Sequence, residues 1–192
     1  EKMVISDPPL RDAVRPSLLN LGGEDDADGP LAWIVPAGAL HKALQSTAKA
    51  KGITIRGGTT VTGFDATGAS ATLDTASGEK IRARLVVAAD GVGSPLRHMA
   101  GIKCVDWDYG QTGIVTTVSH EFPHEGRAFQ HFLPGGPFAL LPLPGNRSSV
   151  VWSEETPRAK RLLELDDLSF IGELSLRAGP ELGEFELDGR RG

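Results

Sequence analysis

Apolar residues recur every three to four positions in "PAGALHKALQSTAKAKG", where Leu40, Leu44 and Ala48 form one stripe. That spacing predicts an amphipathic helix that packs along its apolar side. Pro36 suits the first turn, Lys49 and Lys51 suit the last, and Gly52 can end it. The period then falls to two. "ITIRGGTTVTGF" and "SATLDTASGEKIRARLVVAAD" predict strands, with a hairpin turn at "TASGEK" between Thr72-Leu73 and Ile81-Arg82. Alternation stops at Leu85, Val86, Val87, Ala88 and Ala89. A continuous apolar run of this kind predicts a strand covered on both faces, as in a parallel sheet. Beyond Gly101, "QTGIVTTVSHEF", "GRAFQHFLP", "PFALLPLP" and "RSSVVWSEE" predict four evenly spaced strands of an antiparallel sheet. "RAKRLLELDDLSFIGELSLRAG" predicts helix with a break near Asp166-Asp167. The opening stretch, Glu1 to Asn20, predicts a strand end and loop, interrupted by Pro8, Pro9 and Pro16.

These elements predict a mixed α+β and α/β chain. Residues 1–104 form part of an α/β layer with the long helix, the hairpin and the continuous strand. Residues 105–192 form an antiparallel β domain with terminal helices.

Composition narrows the function. The chain has 192 residues, is 40% hydrophobic and 23% charged, and carries a formal charge of -5. An acidic chain is no candidate for nucleic-acid binding by phosphate neutralisation. The single cysteine, Cys104, excludes an internal disulfide and a cysteine metal cage. No stretch is long and apolar enough to span a bilayer, and "EKMVISDPPLRD" lacks the order of a signal peptide. A cytoplasmic setting is expected. "LGGEDDADGP" is acidic but lacks the alternating ligands of a calcium loop. His120 and His124 flank a turn without an evident third metal ligand. Cys104 has no activating partner, Trp33, Trp107 and Trp152 are expected to pack, and no G-x-S-x-G elbow occurs.

The chemistry concentrates in "LVVAADGVGSPLR". Ligands of open α/β sheets bind at strand carboxyl ends, where Asp90 is expected. Gly91 and Gly93 permit close backbone approach or positive φ. Ser94 can cap the next helix, Pro95 fits its first position, and Arg97 lies one turn in. Free N–H groups at a helix start favour an anion such as a pyrophosphate, and an Asp nearby would take a hydroxyl or a water. An ordinary Asp-Gly turn after a strand is the plainer alternative.

That segment resembles the Asp-Gly motif of the class A flavoprotein aromatic hydroxylases, the para-hydroxybenzoate hydroxylase type, through Asp90, Gly91, Ser94 and Arg97. "IVPAGALHKAL", "WDYGQTGIVTTVSHEFPHEGRAFQHFLPGGPFALLPLP" and "SSVVWS" are similar, in order and spacing, to the ubiquinone-biosynthesis branch of that family. The likeness runs from about Trp33 to Leu176. It implies that Asp90, Gly91, Ser94 and Arg97 bind near the pyrophosphates of FAD and the nicotinamide cofactor. The family's amino-terminal GxGxxG fingerprint and later Gly-Asp segment are missing, so the chain is expected to be an internal piece of a longer enzyme. Pro36-Ala37 stands where the family often has a flavin-touching amide. The implied reaction is hydroxylation of a phenolic ring, a polyprenyl phenol on the way to ubiquinone, with NAD(P)H and O2. The cofactor supplies the chemistry and the protein supplies position and dryness, so no catalytic acid, base or nucleophile is expected. The isolated chain is expected to be inactive and without FAD.

The second sheet would wall the substrate pocket. Alternation in "RAFQHFLP" sets Phe129, His131 and Leu133 on one face and Gln130 and Phe132 on the other. Gln130, Phe132 and Leu140 are the pocket candidates, against the plainer reading of sheet core. Exposed apolar surface predicts a homo-oligomer, and a prenylated substrate implies peripheral access to a membrane. The alternative is a non-catalytic β-sheet domain that binds an apolar ligand or a protein partner. Flavin-dependent halogenases and prenyl reductases share the cofactor, but no halogenase lysine or Trp-rich motif is present.

Overall fold

A computed structural model describes residues 2–7, 16–22 and 32–192. In chain order the elements are β1 (Lys2–Ser6), β2 (Leu19–Leu21), α1 (Ala37–Ala50), β3 (Val61–Asp65), β4 (Ala71–Thr75) and β5 (Lys80–Ala83). Then follow α2 (Pro95–Met99), β6 (Gln111–His120), β7 (Arg127–Leu133), β8 (Gly136–Leu143), β9 (Arg147–Glu155), α3 (Thr156–Leu163), α4 (Asp167–Ala178) and β10 (Phe185–Leu187). They divide into two compact units, one of residues 1–37 with 108–192 and one of residues 38–107. The expected boundary after residue 104 lies three positions early. The expected assignment of the first residues to the α/β layer is corrected, because β1 and β2 belong to the large sheet of the other unit. The acidic stretch after Gly22 lies outside the described residues.

The larger unit is a seven-stranded sheet in the order β10-β6-β9-β8-β7-β1-β2. Strands β6 to β9 pair antiparallel, as their period-two alternation predicts. Gly145, at φ 79, turns β8 into β9 in a conformation that side chains disfavour. β1 joins by a parallel pairing with β7, Met3 beside Ala128 and Ile5 beside Gln130. The helices α3 and α4 cover one face. Their Ala159, Leu162, Phe170 and Leu174 close over Ile114, Phe138, Val150 and Trp152 in one buried cluster. The break between the helices falls where Asp166 caps α4, its carboxylate accepting from the Ser169 N–H at 2.9 Å. Of the three tryptophans expected to pack, only Trp152 is buried; Trp33 and Trp107 are exposed.

The smaller unit holds a three-stranded antiparallel sheet, β3-β4-β5. The hairpin predicted at "TASGEK" is present, with Leu73 opposite Ile81. Two expectations are corrected here. The run Leu85–Ala89 is not part of a sheet: Leu85 and Val87 are each 77% exposed. A central parallel strand is defined by neighbours on both edges, and among the described residues it has none. Helix α1 forms as predicted but has no buried residue: of its stripe, Leu40 and Leu44 are exposed and only Ala48 is half-buried. Ile53 to Arg56, read as strand, lie outside the sheet.

Candidate functional site

The Asp-Gly segment is a closed loop braced by its own side chains. Ser94 is buried and caps α2: its hydroxyl oxygen accepts from the Arg97 N–H at 3.0 Å and its hydroxyl donates to Asp90 Oδ1 at 2.5 Å. Asp90 Oδ2 accepts from the Leu96 N–H at 3.2 Å. Pro95 follows the cap and brings no N–H. The first-turn donors are therefore satisfied within the loop, which corrects the expectation of free N–H groups awaiting an anion. The carboxylate occupies the place at the helix start that an outside anion would take.

The Ser94 hydrogen bond, followed by the Leu96 N–H and the charge of Arg97, holds the Asp90 carboxyl below its ordinary range. Asp90 is exposed and ionised at neutral pH. Gly91 stands at φ 88 with open space where a Cβ would project, so backbone can be approached closely there. The Arg97 guanidinium donates to the Val92 carbonyl at 2.7 Å, while its buried Nε has no partner among the described residues. A cavity of about 370 Å³ beside the loop is lined by Arg97, Ser94 and Gly91 together with Phe64, Val86 and Ile102. A cation with an unsatisfied donor, an ionised carboxylate and an unobstructed glycine fit a ligand bearing both phosphates and hydroxyls, as FAD does. Thus Asp90, Gly91, Ser94 and Arg97 are brought together in one loop.

The three pocket candidates are not brought together. Leu140 pairs with Phe129 and is buried in the core beneath the helices. Gln130 and Phe132 face the other side, and Phe132 is 43% exposed. Leu140 therefore cannot share a pocket wall with them, because successive residues of a strand point to opposite faces. Residues that share their face include Ala139, opposite Gln130, and Val151, opposite Ala139. Sequence reading missed both.

The histidines are structural. His120 donates from Nδ1 to the Phe122 carbonyl at 2.8 Å and accepts at Nε2 from the Ser148 hydroxyl at 3.0 Å. His124 donates from Nε2 to the Leu143 carbonyl at 2.8 Å and accepts at Nδ1 from the Gly126 N–H at 3.0 Å. Both ring nitrogens of His120 and of His124 are used, and no group of three metal-ligating side chains occurs among the described residues. Ser6 and His131 form a buried pair at 2.5 Å, with His131 Nε2 on the Ala178 carbonyl. Both are sealed from solvent, which suits a brace between β1 and β7 rather than a nucleophile. Cys104 is exposed and free. Among the described residues no helix is long and apolar enough to cross a membrane.

Residues 18–176 match the family model of the FAD binding domain. The chain is 45% identical over 161 residues to ubiquinone hydroxylase UbiL of Rhodospirillum rubrum, covering 82% of this chain and 37% of that protein. It is 41% identical over 97 residues to the mitochondrial ubiquinone biosynthesis monooxygenase COQ6 of Danio rerio, covering 50% of this chain and 20% of that protein. Well under half of either relative is spanned. The crystal structure of P. aeruginosa PqsL in complex with 2-aminobenzoylacetate has the same fold, with a TM-score of 0.69 at 17% identity over 97% of this chain and 53% of that one.

Proposed function

Because the chain belongs to the FAD-binding domain family, we propose that it is part of an FAD-dependent monooxygenase that hydroxylates an aromatic ring. The substrate on this reading is a polyprenyl phenol of ubiquinone biosynthesis, supported by the 45% identity to a ubiquinone hydroxylase. The observation that carries it is the self-braced loop from Asp90 to Arg97, with its ionised carboxylate and its partnerless Arg97 Nε.

FAD, when bound, supplies the redox chemistry between a reduced nicotinamide and O2. The chain's own residues bind and orient. Asp90 takes a cofactor hydroxyl, Arg97 takes phosphate oxygens, and Gly91 lets backbone approach. Ser94 keeps Asp90 ionised and aimed. The apolar open face around Gln130, Phe132, Ala139 and Val151 receives the ring and keeps water from it. No residue is assigned a proton-transfer or nucleophilic role. NADH or NADPH is the reductant. The 192-residue chain alone is inactive. The enzyme works in the cytoplasm, with peripheral contact with a membrane giving access to a prenylated substrate. The exposed run Leu85–Ala89 promotes self-association of the isolated chain.

The test is a chimera in which this chain replaces its homologous segment in the R. rubrum enzyme. The expected result is NAD(P)H-dependent hydroxylation of a prenylated phenol by the chimera and none by the isolated chain. A folded, flavin-loaded chimera that oxidises NAD(P)H but never hydroxylates the phenol would refute the substrate reading.

A further inference from the structure

The open face of the seven-stranded sheet carries one polar side chain in an otherwise apolar row. Cross-strand partners Val115, Val151, Ala139, Gln130, Ile5 and Leu19 run side by side over six strands. Gln130 is half-buried within that row, and among the described residues its side-chain amide makes no hydrogen bond. Ala139 beside it is the shortest side chain of the row. An amide set among hydrocarbon gains most from a ligand that brings one hydrogen-bonding atom and is otherwise apolar.

The neighbouring rows give this face a direction. Toward β6 and β9 they carry Thr117 opposite Ser149 and Gly113 opposite Ser153. Toward β1 and β2 they carry Met3 opposite Leu21, next to Ile5 opposite Leu19. Polarity falls across the sheet, from hydroxyls at one side to four large apolar side chains at the other. Leu19 and Leu21 are exposed, so this apolar end is accessible.

Resting on the reading of the chain as part of a phenol hydroxylase, we propose that the Gln130 amide hydrogen-bonds the ring oxygen of the substrate while its hydrocarbon tail lies over Met3, Ile5, Leu19 and Leu21. A neutral phenol donates its O–H to the amide oxygen of Gln130. The tail adds affinity without direction, each buried methylene strengthening binding about fourfold. One directional contact and one apolar track together fix which ring edge faces outward from the sheet.

The test is calorimetric titration of the 192-residue chain with two probes, 2-geranylphenol and geranylbenzene, which differ only in the hydroxyl. The chain is expected to prefer the phenol about tenfold, the scale of one hydrogen bond to a group otherwise left unpaired. Gln130→Met, which keeps the length of the side chain, abolishes that preference. Gln130→Asn, with the same amide on a shorter reach, loses the preference too and serves where the Met variant fails to fold. Leu19→Ser with Leu21→Ser weakens both probes about equally. A Gln130→Met chain that folds and keeps the preference overturns this inference and leaves the hydroxylase reading standing. A wild-type chain that binds neither probe contradicts the substrate face itself, and the inference falls with it.

Discussion

Ser94→Ala removes two hydrogen bonds at once, and their consequences separate in experiment. The first is the cap, in which the hydroxyl oxygen accepts from the Arg97 N–H at 3.0 Å. Loss of a serine cap costs about 1 kcal/mol. Helix α2 has five residues, so the cost appears as local opening rather than global unfolding. Hydrogen exchange of the Arg97 amide should therefore quicken about fivefold, the factor that corresponds to about 1 kcal/mol. The second is the bond to Asp90 Oδ1, the largest influence holding that carboxyl below its ordinary range. In Ser94→Ala the Asp90 titration, followed by carboxyl carbon NMR, should move up toward the ordinary value of 3.8. The sign follows from linkage. A folded-state carboxyl held low contributes stability above its unfolded value and loses it as pH falls through the folded value. The variant should thus lose part of the acid-side slope of stability. Unchanged Arg97 exchange together with an unchanged Asp90 titration would refute the braced loop.

Three further outcomes follow from the larger unit. Arg177, its side chain 2% exposed, stacks over Trp152 and pairs with the 4% exposed Glu154 at 3.5 Å and with Glu173 at 2.7 Å. Arg177→Met should cost about 1.5–3 kcal/mol in urea unfolding, because the buried Glu154 loses one of its two arginines and keeps Arg158 at 3.5 Å, and adding Glu154→Leu should recover part of it. Burial, ahead of the neighbouring His124, depresses the titration of His120 below 6.5, so stability should fall as pH drops from that value toward the folded-state value. His120→Gln should flatten that slope between pH 7 and pH 5, measured as urea midpoints. A Cβ on Gly135 would stand 1.8 Å from Glu154 Oε1, so Gly135→Ala should destabilise by about 1–3 kcal/mol, read by thermal unfolding.

Local patterns revealed the local structure. Alternation located β6 to β9, and the "TASGEK" turn and the helix break near Asp166-Asp167 lay where they were expected. Ser94 and Pro95 were legible as the cap and the first helical position, with Arg97 one turn in from the cap. What escaped were the non-local pairings. β1 lies beside β7, with Ser6 bonded to His131 across 125 positions, and parallel pairing leaves no turn to betray it. Leu140 was misplaced because "PFALLPLP" is apolar at every position, so alternation assigns no face; only the pairing with Phe129 does. The run Leu85–Ala89 had the composition of a covered strand, but composition names no neighbour. Asp90 was read as facing a ligand, and it also turns back to hold Ser94 and Leu96, which its spacing from the cap could have suggested.

The proposal that the loop from Asp90 to Arg97 holds FAD is tested by flavin absorbance of the purified R. rubrum chimera, with and without Asp90→Ala. Stoichiometric flavin is expected in the chimera, and flavin lost on gel filtration of the folded Asp90→Ala variant. Full retention of flavin by that variant, with unaltered affinity, would contradict it.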